Sequence, residues 1–409
     1  MIFSGRKILI GITGSIAAYK ACEIIRSLQK QGAQVRAVLT QSGSQMIGAA
    51  TLQALTEYPV SIEAFDQKND MWFRHIELAR WADTYIIAPC TANTIAHLAS
   101  GATPDALNLI WLATKAKKMI APAMNTIMWE NPSVQRNVKI LKSDGIEFIE
   151  PEVGRMACGE IGSGKLADVD VIVDAIEHSA FPHADKGLAL LSMGRTEEPI
   201  DPVRYITNKS SGKTGIELAR ELRKAGFAVK VVSGPCETRF PTWLSVQKTR
   251  TVDDMQKALE ASFDESQILI MAASVADFKV SQVATQKLKG SRSDTNLELS
   301  PTPDLLRTFC NENKNLSEPK IIVGFALETE TPIEHGLTKL KKKKCDLLML
   351  NTPLQEGSGI GHDSVQMLLL EKKMLEYSPQ EIEENLRLEL RPKSELAQTI
   401  VNAILTRQS

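Results

Sequence analysis

Residues 121–129 read Ala-Pro-Ala-Met-Asn-Thr-Ile-Met-Trp and set one amide, Asn125, among two methionines and a tryptophan. An amide both donates and accepts, so Asn125 suits a small carboxylate or amide ligand against an apolar wall. A packed turn explains Pro-Ala-Met-Asn equally well, and the neighbouring motifs change the balance. Residues 156–166 carry three glycines around a single thiol, Cys158, with no apolar periodicity to bury it. Such a stretch reads as a mobile lid bearing a reactive sulfur; the bland alternative is an inert, exposed thiol. Thr91 and Asn93, in Pro89-Cys90-Thr91-Ala92-Asn93-Thr94, add polar groups at another strand end. A lone histidine is more often structural, as His97 reads, and His75 stands out only through this company.

These groups need elements to hold them. Residues 7–12 form a short apolar strand, and a helical pattern over 17–30 follows, stopped by Gly32. Residues 34–39 give the next strand, leading into Thr40-Gln41-Ser42. This β-turn-α-β order opens a doubly wound sheet, in which ligands bind beyond the carboxyl ends of the strands. A glycine turn entering a helix presents N–H groups and a positive dipole end to a phosphate. The spacing Gly11-x-x-Gly14-Ser15 is not G-x-G-x-x-G, and Thr40 stands where an acidic residue would hold a dinucleotide ribose. A mononucleotide such as FMN therefore fits better than NAD; a plain tight turn fits this spacing too. Residues 118–121 and 85–88 supply two further buried strands.

A closing helix over 169–178 and a linker over 179–186 end the first half, so the domains are expected at 1–187 and 188–409. In the second, Ser210-Ser211-Gly212-Lys213-Thr214 precedes a helix over 214–225. It is not a Walker A loop, because Thr207 occupies the required glycine position. Its N–H and hydroxyl groups can still face an anion at the helix N-terminus. Strands are expected over 268–273, 321–325 and 346–351, with an edge strand over 366–370. A terminal helix over 394–407 has Ser394 as its N-cap. Residues 339–344 are mostly lysine. A charge run is usually a solvated face, yet Lys339 and Lys343 are four apart on one face and suit a triphosphate.

The 409 residues are enough for two or three domains, and 43% hydrophobic with 24% charged residues is ordinary for a globular protein. A net charge of −1 excludes bulk attraction to nucleic acid or an anionic membrane. There is no leader-like segment and no run long enough to span a bilayer. Six dispersed cysteines without a C-x-x-C pair argue against a disulfide framework and a zinc site. The chain reads as cytoplasmic.

Five motifs resemble the FMN-dependent cysteine decarboxylases, and most closely the phosphopantothenoylcysteine decarboxylases of coenzyme A synthesis. They are Gly14-Ser15-Ile16-Ala-Ala-Tyr-Lys20, His75-Ile-Glu-Leu, Thr91-Ala-Asn93-Thr, Pro122-Ala-Met-Asn125 and Ala157-Cys158-Gly-Glu160. The resemblance covers residues 1–180 and implies a flavodoxin-like, trimeric flavoprotein domain with His75, Asn125 and Cys158 catalytic. It implies FMN contacts at Gly14, Ser15, Ile16, Thr40, Ser42, Thr91 and Asn93. Flavin prenyltransferases share the flavin fold but lack the His75, Asn125, Cys158 combination. Lys165-Leu166 stands where the family has Arg-Met.

The second half resembles the phosphopantothenate–cysteine ligases over nearly its whole length, and implies a Rossmann-like domain. The motifs are Glu198-Pro-Ile-Asp-Pro-Val-Arg204, Asn208-x-Ser210-Ser211-Gly212, Met271-Ala272-Ala273-x-x-x-Asp277, Lys287-x-Lys289, Pro303-Asp304-Leu305-Leu306, Gly324-Phe325-x-x-Glu-Thr and Lys339…Lys343. By this resemblance Asn208 contacts an acyl-cytidylate, while Lys287, Lys339 and Lys343 hold CTP. The remaining residues of these motifs, from Arg204 to Phe325, complete the nucleotide and substrate site. Gly290 stands where the family has lysine, and Arg195 where it has proline.

Together the two resemblances imply an α/β chain of two doubly wound domains catalysing consecutive steps. The ligase half would join phosphopantothenate to cysteine using CTP and Mg²⁺, with no metal ligand assigned. The FMN half would decarboxylate the product to 4′-phosphopantetheine. Homo-oligomers are expected, as trimers of the first domain and dimers of the second. Two alternatives stand beside this reading. A flavin-binding regulatory protein without catalysis is opposed by the retained trio, and a generic nucleotide-binding dehydrogenase by the missing fingerprint.

Overall fold

The computed structural model describes residues 2–63, 73–155, 159–288, 296–353, 357–359, 361–386 and 388–408. Two compact units result, Met1–Ala180 and Phe181–Ser409. No described helix is long and apolar enough to cross a membrane.

The first unit begins β1 (Lys7–Ile12), α1 (Lys20–Lys30), β2 (Gln34–Leu39), α2 (Gln41–Ser44), α3 (Ala49–Thr56), α4 (Arg74–Trp81) and β3 (Thr84–Cys90). It continues α5 (Ala92–Ser100), α6 (Ala106–Ala113), β4 (Lys117–Pro122), α7 (Thr126–Glu130), α8 (Pro132–Ser143) and β5 (Glu147–Phe148). A hairpin of β6 (Glu152–Arg155) and β7 (Ile161–Lys165), then α9 (Val169–Ser179), close it. The sheet runs β2-β1-β3-β4-β5, all parallel, which is the flavodoxin-like order. β1 is buried on both faces, as parallel strands under two helical layers must be. Ile8, Ile10 and Ile12 pack with α1 and α9, while Leu9 packs on the opposite face with Tyr85, Ile87 and Trp111. In α1 the buried residues Ala21, Ile24, Ile25 and Leu28 follow the helical repeat. The expected 17–30 helix differs at its start: Ile16–Tyr19 is a 3-10 turn capped by Ser15.

The second unit has an eight-stranded sheet, ordered β12-β11-β8-β13-β16-β17-β18-β19. Its first part is β8 (Leu188–Met193), β9 (Glu197–Pro199), β10 (Tyr205–Thr207), α10 (Lys213–Lys224), β11 (Ala228–Ser233), β12 (Ser245–Lys248), α11 (Val252–Phe263) and β13 (Ile268–Met271). Then come β14 (Phe278–Val280), β15 (Leu299–Pro301), α12 (Leu305–Asn313), β16 (Ile321–Leu327), α13 (Pro332–Lys343) and β17 (Leu347–Thr352). β18 (Ser364–Glu371), α14 (Pro379–Asn385), β19 (Glu389–Pro392) and α15 (Lys393–Gln408) complete it. Strands β12 to β17 of the sheet are parallel, and β18 and β19 antiparallel. One face buries Leu190, Leu269 and Leu348 with α11, α12 and α13; the other buries Leu191, Ile270 and Met349 with α10 and α15. The expected edge strand over 366–370 is interior, because β19 pairs outside it. The terminal helix starts at Lys393, which places Ser394 inside its first turn instead of at the cap.

Candidate active sites

In the first unit, three cap residues converge at the carboxyl ends of the adjacent strands β2, β1 and β3. Ser15 Oγ accepts from Ala17 N at 3.3 Å, Thr40 Oγ1 from Gly43 N at 3.0 Å, and Thr91 Oγ1 from Thr94 N at 3.4 Å. Each is an N-cap, so the chain turns here and leaves helix-start N–H groups pointing outward. Thr13, fully buried, ties two of the loops: its hydroxyl donates to Pro89 O at 2.7 Å and accepts from Thr91 N at 3.0 Å. Gly14 lets the first and second loops touch, since a Cβ there would lie 2.7 Å from the Ser42 side chain. Ser42 Oγ is 3.2 Å from Thr40 Oγ1, and Asn93 is exposed on the first turn of α5. Ile16 is exposed at the mouth. All seven expected contacts thus lie at one edge, at the switch point between β1 and β3, with hydroxyl and amide donors suited to a phosphate.

Asn125 follows β4 at the same edge and caps α7, its Oδ1 accepting from Ile127 N at 2.9 Å. Its Nδ2 donates to Glu160 Oε2 at 2.5 Å. The expected apolar wall is partly corrected. Trp129 is buried in the core beneath α7, whereas Ile127 and Met128 are exposed.

The glycine-rich stretch also departs from expectation. Gly162 and Gly164 belong to β7 of a hairpin instead of a loose loop. They permit close approach: a Cβ at Gly164 would lie 2.4 Å from Met124 O, and one at Gly162 2.4 Å from Thr126 Oγ1. Gly164 O accepts from Met124 N at 2.9 Å, so the hairpin is fastened to the Asn125 loop. Lys165 Nζ lies 2.9 Å from Glu152 and 3.5 Å from Asp168; the Glu152 hydrogen bond raises its pKa. Leu166 is a core residue. Cys158 lies outside the described residues.

His75 is the second residue of α4, which leads into the amino end of β3. Two residues on, Glu77 accepts from Tyr58 Oη at 2.7 Å and from Arg36 at 2.9 Å, and the Arg36 guanidinium stacks 3.6 Å from the Tyr58 ring. The Tyr58 hydrogen bond and then Arg36 lower the Glu77 pKa. Sequence reasoning missed this brace on α4; a charged Arg36 between Val35 and Ala37 in β2 was its one signal.

In the second unit two cavities lie side by side at the carboxyl ends of β8, β13, β16 and β17. One, of about 320 Å³, is lined by Met271, Ala273, Asp277, Phe325, Lys339 and Lys343, together with the 303–306 turn. Asp304 caps α12 through Arg307 N at 3.1 Å, and its other oxygen is held by Lys343. Lys339 Nζ lies 2.6 Å from Glu328. Both lysines are therefore already held by carboxylates at the cavity wall.

The other cavity, of about 290 Å³, is floored by Ala272 and closed by the Ser210-Ser211-Gly212 turn that starts α10. Gly212 has φ +82°, and a Cβ there would meet Cys236 and Met193 at about 3 Å. The two cavities share Ala273, Val275, Asp277 and Phe325. Asn208 lines neither cavity but is tied to their shared wall, its Nδ2 donating to Val275 O at 2.9 Å.

Three lining residues escaped the sequence reading. Asn351 Oδ1 and Thr352 Oγ1, at the end of β17, are buried without a hydrogen-bond partner among the described residues. Lys393 is 6% exposed and donates to His362 O at 2.6 Å and Gly359 O at 3.3 Å; burial lowers its pKa. A cation at a helix N-terminus opposes the dipole, and that mismatch was a readable signal.

Arg204 and Lys287 line neither cavity. Arg204 donates to Asp201 through Nε at 2.9 Å and Nη2 at 2.5 Å, and Nη2 also reaches Leu288 O at 2.9 Å. Asp201 accepts from Leu288 N at 3.1 Å as well. The Arg204 hydrogen bond, with three backbone N–H groups, holds the Asp201 carboxyl well below the usual carboxylate range. This turn clamps the segment carrying the exposed Lys287; Lys289 and Gly290 lie outside the described residues. Among the described residues no group of three or more His, Cys, Asp or Glu is placed to hold a metal.

A family model described as flavoprotein matches residues 3–181, and one described as DNA/pantothenate metabolism flavoprotein C-terminal domain matches residues 185–407. The coenzyme A biosynthesis bifunctional protein CoaBC of Bacillus subtilis is 37% identical over 368 residues, covering 89% of this chain and 90% of its own. That of Haemophilus influenzae is 36% identical over 409 residues, covering 100% and 99%. Among solved structures, a PPC decarboxylase mutant complexed with pantothenoylaminoethenethiol is 32% identical, covers 42% of this chain and 96% of its own, and has a TM-score of 0.37. With both halves matched in order and full-length relatives above 35% identity, the chain belongs to the family of bifunctional coenzyme A biosynthesis enzymes.

Proposed function

We propose that residues 188–409 ligate 4′-phosphopantothenate to cysteine at the expense of CTP, and that residues 1–187 decarboxylate the product with FMN to 4′-phosphopantetheine. The observation that carries the ligase reading is the pair of cavities sharing the Ala273, Val275, Asp277 and Phe325 wall. Two substrates that must meet at one bond need two pockets with a common boundary. CTP occupies the lysine-bearing cavity, where Lys339 and Lys343 exchange their carboxylate partners for the triphosphate. Phosphopantothenate occupies the other, its phosphate facing Ser210, Ser211 and Gly212 at the start of α10. Its carboxylate attacks the α-phosphorus at the shared wall; the P–O bond to pyrophosphate breaks and an acyl-cytidylate forms beside Asn208. The cysteine amine then attacks the acyl carbon, loses its proton and expels CMP. Lys287 closes over the nucleotide. Mg²⁺ fits this donor set, because it binds through one or two carboxylates plus substrate phosphates, and Asp277 and Asp304 are at hand.

In the first unit the cap cradle of Ser15, Thr40, Ser42 and Thr91 fits the phosphate of FMN, which would supply two-electron oxidation of the thiol end and return the electrons later. Asn125 holds the substrate carboxylate. The Glu160 carboxylate already bound to its Nδ2 supports this, being the same functional group at the same donor. His75 positions or deprotonates the substrate, and Cys158 returns a proton to the decarboxylated product. Trimers of the first domain tied by dimers of the second, working in the cytoplasm, complete the proposal.

Asn208→Ala tests the division of labour. Release of CMP from phosphopantothenate, cysteine and CTP should fall by about 100-fold or more, with CO₂ release from supplied phosphopantothenoylcysteine unchanged. Unaltered CMP release would remove Asn208 from the ligase site.

A further inference from the structure

The lysine run of α13 serves two places. Lys339 and Lys343 face the nucleotide cavity, whereas Lys341 and Lys344 line a separate cavity of about 480 Å³ at the opposite end of α12, where β16 and β17 begin. Lys314, Lys320 and Lys372 also line it, a ring of five lysines with one carboxylate, Asp346, among the lining residues; the Lys314 ammonium is held by Asn311 Oδ1 at 3.1 Å. The floor is apolar, formed by Ile322, Leu340 and Cys310.

Asp346 does not neutralise this ring. It is engaged by Lys372 at 2.6 Å and by Ile322 N at 2.9 Å. Lys320 is 9% exposed and donates only to carbonyls, Ser266 O at 2.5 Å and Asp264 O at 3.0 Å, with no carboxylate within ion-pair distance among the described residues. The Lys341 and Lys344 side chains are exposed, and their ammonium groups have no hydrogen-bond or ion-pair partner among the described residues. Lys344 also adopts φ +62° as the C-cap of α13, a position that favours glycine or asparagine. Two helix C-termini meet here and bring roughly half a negative charge each, which accounts for one or two lysines as dipole partners but not five.

We infer that this cavity is a further anion site, taking a small phosphate-bearing molecule whose phosphate meets the lysines and whose apolar part rests on the floor. It stands apart from the nucleotide cavity and does not depend on how that cavity is assigned.

Crystals of the full-length protein soaked in sodium tungstate, a phosphate-like oxyanion located by its anomalous scattering, test the site directly. A peak within hydrogen-bond distance of the Lys341, Lys344 or Lys372 ammonium is expected; a map without one there overturns the inference. In solution, phenyl phosphate is titrated into the full-length protein with excess CMP filling the nucleotide cavity. Binding should be tighter than for inorganic phosphate, and about tenfold or more weaker in Lys341→Glu/Lys344→Glu, two exposed positions whose folding is checked by an unchanged CMP release. Equal affinity in the two proteins would mean that these lysines only cap helix ends, and would overturn it.

Discussion

Asn125 is engaged at both ends, capping α7 through its oxygen and gripping a carboxylate through its nitrogen. Asn125→Asp keeps the cap and reverses only the second contact, setting two carboxylates against each other. Decarboxylation should fall by at least about 100-fold, while flavin absorbance and CMP release stay unchanged; loss of either would report a folding defect instead. Lys343→Met leaves Asp304 without its cation and, under the proposed assignment of the cavity, removes one charged contact to CTP. The KM for CTP should rise about 10- to 100-fold, with decarboxylation of supplied substrate unaffected. The placing of Asn125 at a strand end, and of Lys339 and Lys343 on one wall, was legible from their types and spacing. Asn351, Thr352 and Lys393 were not, because only the sheet order brings the end of β17 and the start of α15 to the Ser210–Gly212 turn.

The β6–β7 hairpin shows what an element adds to a motif. Its glycines suggest mobility in sequence, yet Gly164 combines φ +132° with a contact that admits no Cβ. Gly164→Ala should cost about 1–3 kcal/mol and lower decarboxylation without altering CMP release, as followed by thermal unfolding and the two assays. The 201–204 turn is a second such device, pinning Leu288 beside Lys287. Because the folded Asp201 pKa is depressed by Arg204, its contribution is present above the ordinary carboxylate range and lost as pH falls through the lower folded value. Asp201→Asn should therefore lower the denaturant midpoint at pH 7. The gap to the parent protein should narrow only below about pH 4, and a gap independent of pH would exclude an ionic role for the clamp. The strands that were expected lie within a few residues of their observed positions, since buried parallel strands are continuous apolar runs; β11 and β12, with lysines and a glutamine among their residues, were not read. The hairpin was not, because its glycines and polar residues give no alternation to read.

At the scale of the molecule, each unit has cores on both faces of its own sheet. Phe309 is fully buried in the second unit, its ring 4.9 Å from that of Phe263. Phe309→Ala should destabilise that unit by about 3–5 kcal/mol and abolish CMP release first, leaving a yellow protein that still decarboxylates supplied phosphopantothenoylcysteine. The order of strands and helices disclosed two doubly wound halves. It could not disclose that two cavities share one wall, since that depends on β8, β13 and β16 being neighbours in space while far apart in the chain. The most direct test is one reaction on the purified full-length protein, with phosphopantothenate, cysteine, CTP and Mg²⁺. The account predicts a yellow protein releasing CMP, pyrophosphate and CO₂ in equal amounts; a protein that is colourless, or that releases no CMP, would contradict it.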